Sequence, residues 1–305
     1  MHTAAIDQQN FCPLRTRRAV VVAIACAAAG VVPSLGMLSY LPAWGRMWLV
    51  AAVLFAGAKM LTWMRRPAQF AQVGRWRAAG YFLGWVGMDA DGFCRPSDER
   101  GQSALEWAPA ALKTALGATI LWIVVPAVSA DRPTAAGALG FAGLVLLLHF
   151  GIFHLLALAW QRAGAGVRPI MQAPLRAASL ADFWGRRWNR GYRDASFELF
   201  FRPAVRRLGG RAGTLLAFFV SGLLHELVIS VPARAGYGGP TAYFVIQGLG
   251  SLVERTEFMR AIVKSRPWTG RCFTLVFVIG PLGWLFHPAF LTRVIVPFLS
   301  AIGVL

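Results

Sequence analysis

Residues 215–231 read LLAFFVSGLLHELVISV. Apart from Ser221, His225, Glu226 and Ser230 the run is apolar throughout. The block about 212–232 is long enough to cross the hydrocarbon core of a bilayer as one helix. An ionisable pair inside such a helix is costly in lipid and is usually kept for function. Ser221 stands one turn before His225 on the same helical face, where it can orient the imidazole. The plainer reading of the same residues is a histidine satisfied within a helix bundle, with Glu226 at a helix end.

Working outward, further apolar blocks occur at about 19–39, 47–64, 105–127, 136–160, 241–254, 272–286 and 288–304, giving about eight spans. The last three are short, and two of them read equally well as one broken or tilted helix. The stretch 78–88, AAGYFLGWVGM, is apolar but too short to cross, which suits a re-entrant or interfacial segment. Composition agrees: 57% of the 305 residues are hydrophobic, 14% are charged, and mean hydropathy is +0.54. A soluble domain carries roughly a quarter charged residues. The expected fold is an all-α polytopic membrane protein of one domain, 1–305. It has about eight transmembrane helices, added interfacial helices and an internal cavity for chemistry.

Net charge is +18, yet nucleic acid is not the expected partner. The basic residues sit in the segments between apolar blocks, where charge sets orientation. With 1–18 as a cytoplasmic tail and the spans alternating, the inside segments hold 25 of the 31 basic residues and the outside segments four. Eleven of the 25 lie in 161–211. A missed span in the middle would scramble this asymmetry. Arg15, Arg17 and Arg18 before an apolar run would also suit a signal peptide. That run continues to about Ser39, so a retained first helix is expected. Arginines outnumber lysines 28 to three, a bias of GC-rich bacterial genomes, which suggests the inner (cell) membrane of a bacterium. Cys12, Cys26, Cys94 and Cys272 imply neither a metal site nor a pairing. His149 and His154, five apart, do not share a helical face, so no metal is expected. His287 precedes Pro288 at a break.

The segment 161–211 is the longest outside the spans, and within it 179–203 reads SLADFWGRRWNRGYRDASFELFFRP. Ser179 with Asp182 three residues later has the form of a helix-opening capping box, and Pro203 is expected to stop the helix. Trp184, Trp188 and Tyr192 alternate with arginines, a pattern suited to helices lying along the headgroup layer. Asn189 shares a helical face with Gly185 and Arg186 if the helix is continuous. From spacing alone it reads as a surface residue.

Together the motifs FWGRRWN (183–189) and SGLLHE (221–226) resemble the wax-synthase branch of the membrane-bound O-acyltransferase family. GWVGMDADGF (84–93) is similar to a more divergent landmark of that family. The resemblance implies an active site of Asn189 and His225. His225 is then the general base for an acceptor hydroxyl, and Asn189 holds the acyl carbonyl or the acceptor. It implies acyl-CoA as co-substrate, no further cofactor, and a lipid or long-chain alcohol as acceptor. Trp184, Arg186, Arg187, Trp188, Ser221 and Glu226 are the expected substrate-binding residues. Arg186, Arg187, Arg190 and Arg193 suit CoA phosphates, and suit a solvated face as well. Two other functions fit the residues: the same chemistry with acetyl-CoA on a sugar or secondary metabolite, or a transporter or lipid-binding protein using His225 and Glu226 as relay. Internal repeats, frequent in transporters, are not evident. The absence of GxSxG, HExxH and phosphate-loop motifs argues against serine esterase, zinc protease and ATPase activities.

Overall fold

A computed structural model describes residues 40–65, 73–96, 104–128 and 132–305. The expected tail 1–18 and span 19–39 lie outside the described residues. Secondary structure among those described is helical apart from an isolated bridge between Pro96 and Ala165. In chain order the main helices are α1 (Ala43–Met64), α2 (Arg75–Gly84), α3 (Ala90–Cys94), α4 (Glu106–Val128) and α5 (Pro133–Arg162). They continue with α6 (Arg190–Ser196), α7 (Arg202–Val228), α8 (Gly239–Val253), α9 (Glu257–Ser265), α10 (Pro267–Ile279) and α11 (Pro288–Ala301).

The chain is an all-α polytopic membrane protein. Among the described residues five stretches are long and apolar enough to cross a membrane: Ala43–Met64, Glu106–Val128, Pro133–Arg162, Arg190–Ala233 and Trp268–Leu285. Seven of the eight expected spans fall on described residues. The blocks 241–254 and 288–304 do form helices, but α8 has 15 residues and α11 is also short, against the roughly 20 needed. The last two blocks are separate helices: α10 ends at the Gly280–Pro281 break, and Pro288 opens α11 behind an extended His287.

Lipid and protein faces separate cleanly on α7. Leu216, Phe219, Leu223 and Leu227 are exposed at three- and four-residue spacing, a stripe facing outward. On the other side Gly213, Thr214, Ser221 and Gly222 are buried. A Cβ on Gly222 would sit 2.7 Å from the Cα of Thr241, so the missing side chain lets α8 lie directly on α7. The main core joins α4, α5, α8 and α11 around Leu121, Leu144, Phe244, Phe290 and Leu299. A second core holds the 84–93 landmark against α5, where Trp160 donates its indole N–H to the Gly84 carbonyl at 2.7 Å.

Two local expectations need correction. Pro203 does not stop a helix. A wider five-residue turn, Phe197–Phe201, precedes it and absorbs the missing N–H, and the helix runs on to a kink at Gly209 (φ +79°). Asn189 does not share a helical face with Arg186, because the chain leaves the helix at extended Trp188 and Asn189 has φ +39°.

Candidate active site

The 179–203 segment starts as read: the Ser179 hydroxyl accepts the Asp182 N–H at 2.9 Å. The Asp182 carboxylate takes the Nε groups of Arg186 at 2.9 Å and Arg187 at 2.6 Å. Burial alone would raise the pKa of Asp182, but Arg187, the Ala178 N–H and Arg186 outweigh it and hold the carboxyl below its usual value. Arg187 also reaches the carbonyls of Gln172 and Ala173. Both arginines therefore brace their own turn, with the Arg186 side chain largely exposed. Trp188 stacks on Phe183 at 5.5 Å.

At Asn189 the chain enters the left-handed region, which Asn tolerates better than most residues. The Asn189 side-chain oxygen then accepts the Tyr192 N–H at 3.2 Å, capping α6. Behind this turn is the 84–93 landmark: a Cβ on Gly191 would lie 3.1 Å from the Gly87 Cα. From α6, Tyr192 reaches α7. Its hydroxyl meets the Ser221 hydroxyl at 3.3 Å, and its ring stands edge-on to His225 with centroids 6.3 Å apart. His225 is 15 residues beyond Gly210, about 22 Å along the helix at 1.5 Å per residue. The aromatic segment thus turns inward to meet the far part of α7.

His225 is partly buried between two rings. Phe244 of α8 lies 4.3 Å away, centroid to centroid, and Tyr192 closes another side. The Nδ1 atom is 2.7 Å from the Ser221 carbonyl oxygen. A carbonyl only accepts, so Nδ1 carries the proton and the lone pair is left on Nε2. Trp184 packs on Phe218 and Phe244 and donates its indole N–H to the fully buried Gln247 at 3.3 Å. Gln247 in turn donates to the Phe277 carbonyl at 2.6 Å.

Glu226 faces another task. Its Oε1 accepts the Gly238 N–H at 2.9 Å, the Thr241 N–H at 3.1 Å and the Thr241 hydroxyl at 3.0 Å. Gly238 occupies the cap of α8 and has no side chain, so the carboxylate of a neighbouring helix supplies the missing acceptor, at the positive end of the helix dipole. Its Oε2 is buried with no hydrogen-bond partner among the described residues.

The structure therefore gathers Trp184, Ser221 and His225 on the α7–α8 seam, with Asn189 two hydrogen bonds away from Ser221 through Tyr192. Arg186, Arg187 and Trp188 stand on their own turn, and Glu226 on the α8 terminus. Tyr192, Phe244 and Gln247 were missed by sequence reasoning. Gln247, a lone amide in an apolar block, carried the same kind of signal as His225. The two best-defined cavities among the described residues lie elsewhere. One, of about 330 Å³, runs from Ser179 and Glu254 to Phe273. The other, of about 250 Å³, is bounded by the 85–95 stretch with Arg168, Arg190 and Asp194.

Residues 167–246 match the family described as membrane bound O-acyl transferase. The matched region contains Asn189, Tyr192, Ser221, His225, Glu226 and Phe244. Similar proteins include probable long-chain-alcohol O-fatty-acyltransferase 3 of Arabidopsis thaliana, 32% identical over 168 residues and covering 48% of each chain. The long-chain-alcohol O-fatty-acyltransferase of Simmondsia chinensis is 36% identical over 137 residues, 41% of this chain and 39% of that one. Acyl-CoA–sterol O-acyltransferase 1 of Arabidopsis thaliana is 31% identical over 141 residues, covering 41% and 39%. The chain spans about half or less of the length of these relatives.

Proposed function

We propose, from the match of residues 167–246 to the membrane bound O-acyl transferase family and the likeness to long-chain-alcohol O-fatty-acyltransferases, that the protein transfers an acyl group from acyl-CoA to the hydroxyl of a lipid alcohol. The observation that carries this reading is the 2.7 Å contact of His225 Nδ1 with the Ser221 carbonyl oxygen. The Nδ1–H is committed to the Ser221 carbonyl, which leaves Nε2 as a base of fixed direction. Nε2 takes the proton of the acceptor hydroxyl as its oxygen attacks the thioester carbonyl. The C–S bond breaks, the ester forms, and the imidazolium returns the proton to the departing CoA thiolate. The reaction consumes no net proton and needs no relay to bulk water.

The acceptor class follows the relatives, which are named for transfer to long-chain alcohols and, in one case, to a sterol. Aromatic walls from Trp184, Phe218 and Phe244 suit an apolar chain near the base. The arginine-rich 161–211 segment, placed in the cytoplasm by its charge, is the side from which CoA arrives. Arg168 and Arg190, which line the smaller cavity, are freer for its phosphates than Arg186 and Arg187.

The test uses membranes of a host with no alcohol acyltransferase, supplied with labelled palmitoyl-CoA and hexadecanol. Labelled wax ester is expected. Membranes that contain folded protein and form no ester from straight-chain alcohols or sterols overturn the proposal.

A further inference from the structure

We propose that Asn189 is a positioning residue that acts through Tyr192, and that its amide does not itself hold the substrate. The inference rests on the reading of His225 as base. Three contacts carry it, and they form one chain. Asn189 Oδ1 accepts the Tyr192 N–H at 3.2 Å. The Tyr192 hydroxyl meets the Ser221 hydroxyl at 3.3 Å, with its ring edge-on to His225. The Ser221 carbonyl holds His225 Nδ1 at 2.7 Å.

Each link has a stated consequence. Residue 189 is left-handed (φ +39°), between extended Trp188 and the first residue of α6. A residue there must also accept the α6 N–H. Asn and Asp meet both demands. Gly meets only the first, and Ala meets neither. The cap fixes where Tyr192 leaves α6, and Gly191 fixes how closely that turn lies on Gly87. Tyr192 then holds Ser221 by its hydroxyl while Ser221 holds the histidine by its carbonyl. Phe244 covers one side of the imidazole and Tyr192 covers another, so displacing Tyr192 frees the ring to turn and Nε2 loses its direction. With one lone pair of Oδ1 committed to the Tyr192 N–H, the plane of the Asn189 amide is set by the cap.

The amide and the cap are separated by two substitutions. Asn189→Asp keeps a left-handed, capping side chain and loses the NH2 group. Asn189→Gln keeps the NH2 group on a side chain that neither favours this backbone nor caps it. Steady-state transfer is measured for both, for Asn189→Ala, for Tyr192→Phe, and for the Asn189→Ala/Tyr192→Phe double variant. Protein amount and monodispersity are read by fluorescence-detected gel filtration. The expected order is Asp well above Gln, with at least tenfold between them. Tyr192→Phe should lower kcat about tenfold with both KM values held, since Tyr192 touches the base and not the substrates. The double variant should be no slower than Asn189→Ala alone, because both remove one coupled unit. Gln equal to or above Asp overturns the inference, as does a double variant whose losses multiply. If Asn189→Ala fails to fold, the Asp-against-Gln order and the Tyr192→Phe split still decide. A wild-type protein that transfers nothing refutes the reaction; a wild-type protein that transfers while these orders fail refutes only the role of Asn189.

Discussion

Replacing Gly222 with alanine should separate activity from stability. A Cβ there would lie 2.7 Å from Thr241 Cα and 3.3 Å from the Thr241 carbonyl oxygen, both backbone atoms. Ordinary contact begins at 3.4 Å, so α8 must withdraw by about 0.7 Å at this point. Three contacts depend on that approach. The 3.1 Å bond from Thr241 N to Glu226 lengthens past hydrogen-bonding range, Phe244 moves off His225, and Gln247 moves off Trp184. Overpacking costs about 1–3 kcal/mol, but alanine regains about 1 kcal/mol of helix propensity over glycine, leaving a net loss of about 0–2 kcal/mol. Displacing site groups by nearly 1 Å costs about a hundredfold in rate. Turnover should therefore fall about a hundredfold, while the thermal midpoint of the detergent-solubilised protein falls by only a few degrees. The matched control is Gly210→Ala on the same helix, where a Cβ meets nothing within 4 Å and turnover should stay at the wild-type level. Gly222→Ala turning over within threefold of wild type would refute the argument that this close approach sets the site.

His225→Ala should lower ester formation by about two to four orders of magnitude without loss of membrane-inserted protein, as removal of a general base does; near-normal turnover would remove the assignment. Glu226→Ala should lower thermal stability more than Glu226→Gln, because the amide oxygen still accepts the α8 N–H groups; equal losses would show that the cap is not what Glu226 contributes. Asp182 has a folded-state pKa below its unfolded value, so its contribution is present above the ordinary carboxylate range and is lost as pH falls through that range and below. Melting midpoints of wild type and Asp182→Asn should differ at neutral pH and converge toward pH 3, and parallel curves would contradict this. In a protein with its four cysteines replaced, Arg206→Cys should be shielded from impermeant thiol reagents in intact cells while Tyr237→Cys is labelled; the reverse pattern would invert the proposed topology.

The sequence made the helices of the bundle legible because lipid imposes a simple rule: a crossing helix is apolar for its whole length. Length was legible too: the block 241–254 read as short, and its helix, Gly239–Val253, is 15 residues long. What was hidden is that this helix gains its first acceptor from Glu226 of another helix. Nothing local to 241–254 announces that. His225 stood out because its cost in an apolar helix is set by its own neighbours in sequence. Asn189 was singled out, but from spacing alone it read as a surface residue, because a left-handed cap depends on the break that precedes it, and the alternating aromatics and arginines read as one continuous helix.

Glu226 shows how a motif can join two purposes in adjacent residues. His225 and Glu226 were read together as one ionisable pair. Yet neighbours on a helix point about 100° apart, so they face different partners. Here His225 faces Tyr192 and Phe244, and Glu226 faces the amides that open α8. Because α8 carries Phe244, the carboxylate that fixes the start of α8 also fixes the wall beside the base. Gly222 between Ser221 and these two residues lets that wall approach. Within the motif Ser221 sets the tautomer, Gly222 sets the distance, His225 presents Nε2, and Glu226 anchors the opposing helix. Changes among the four converge on one imidazole through contacting groups, so combinations among them should be non-additive.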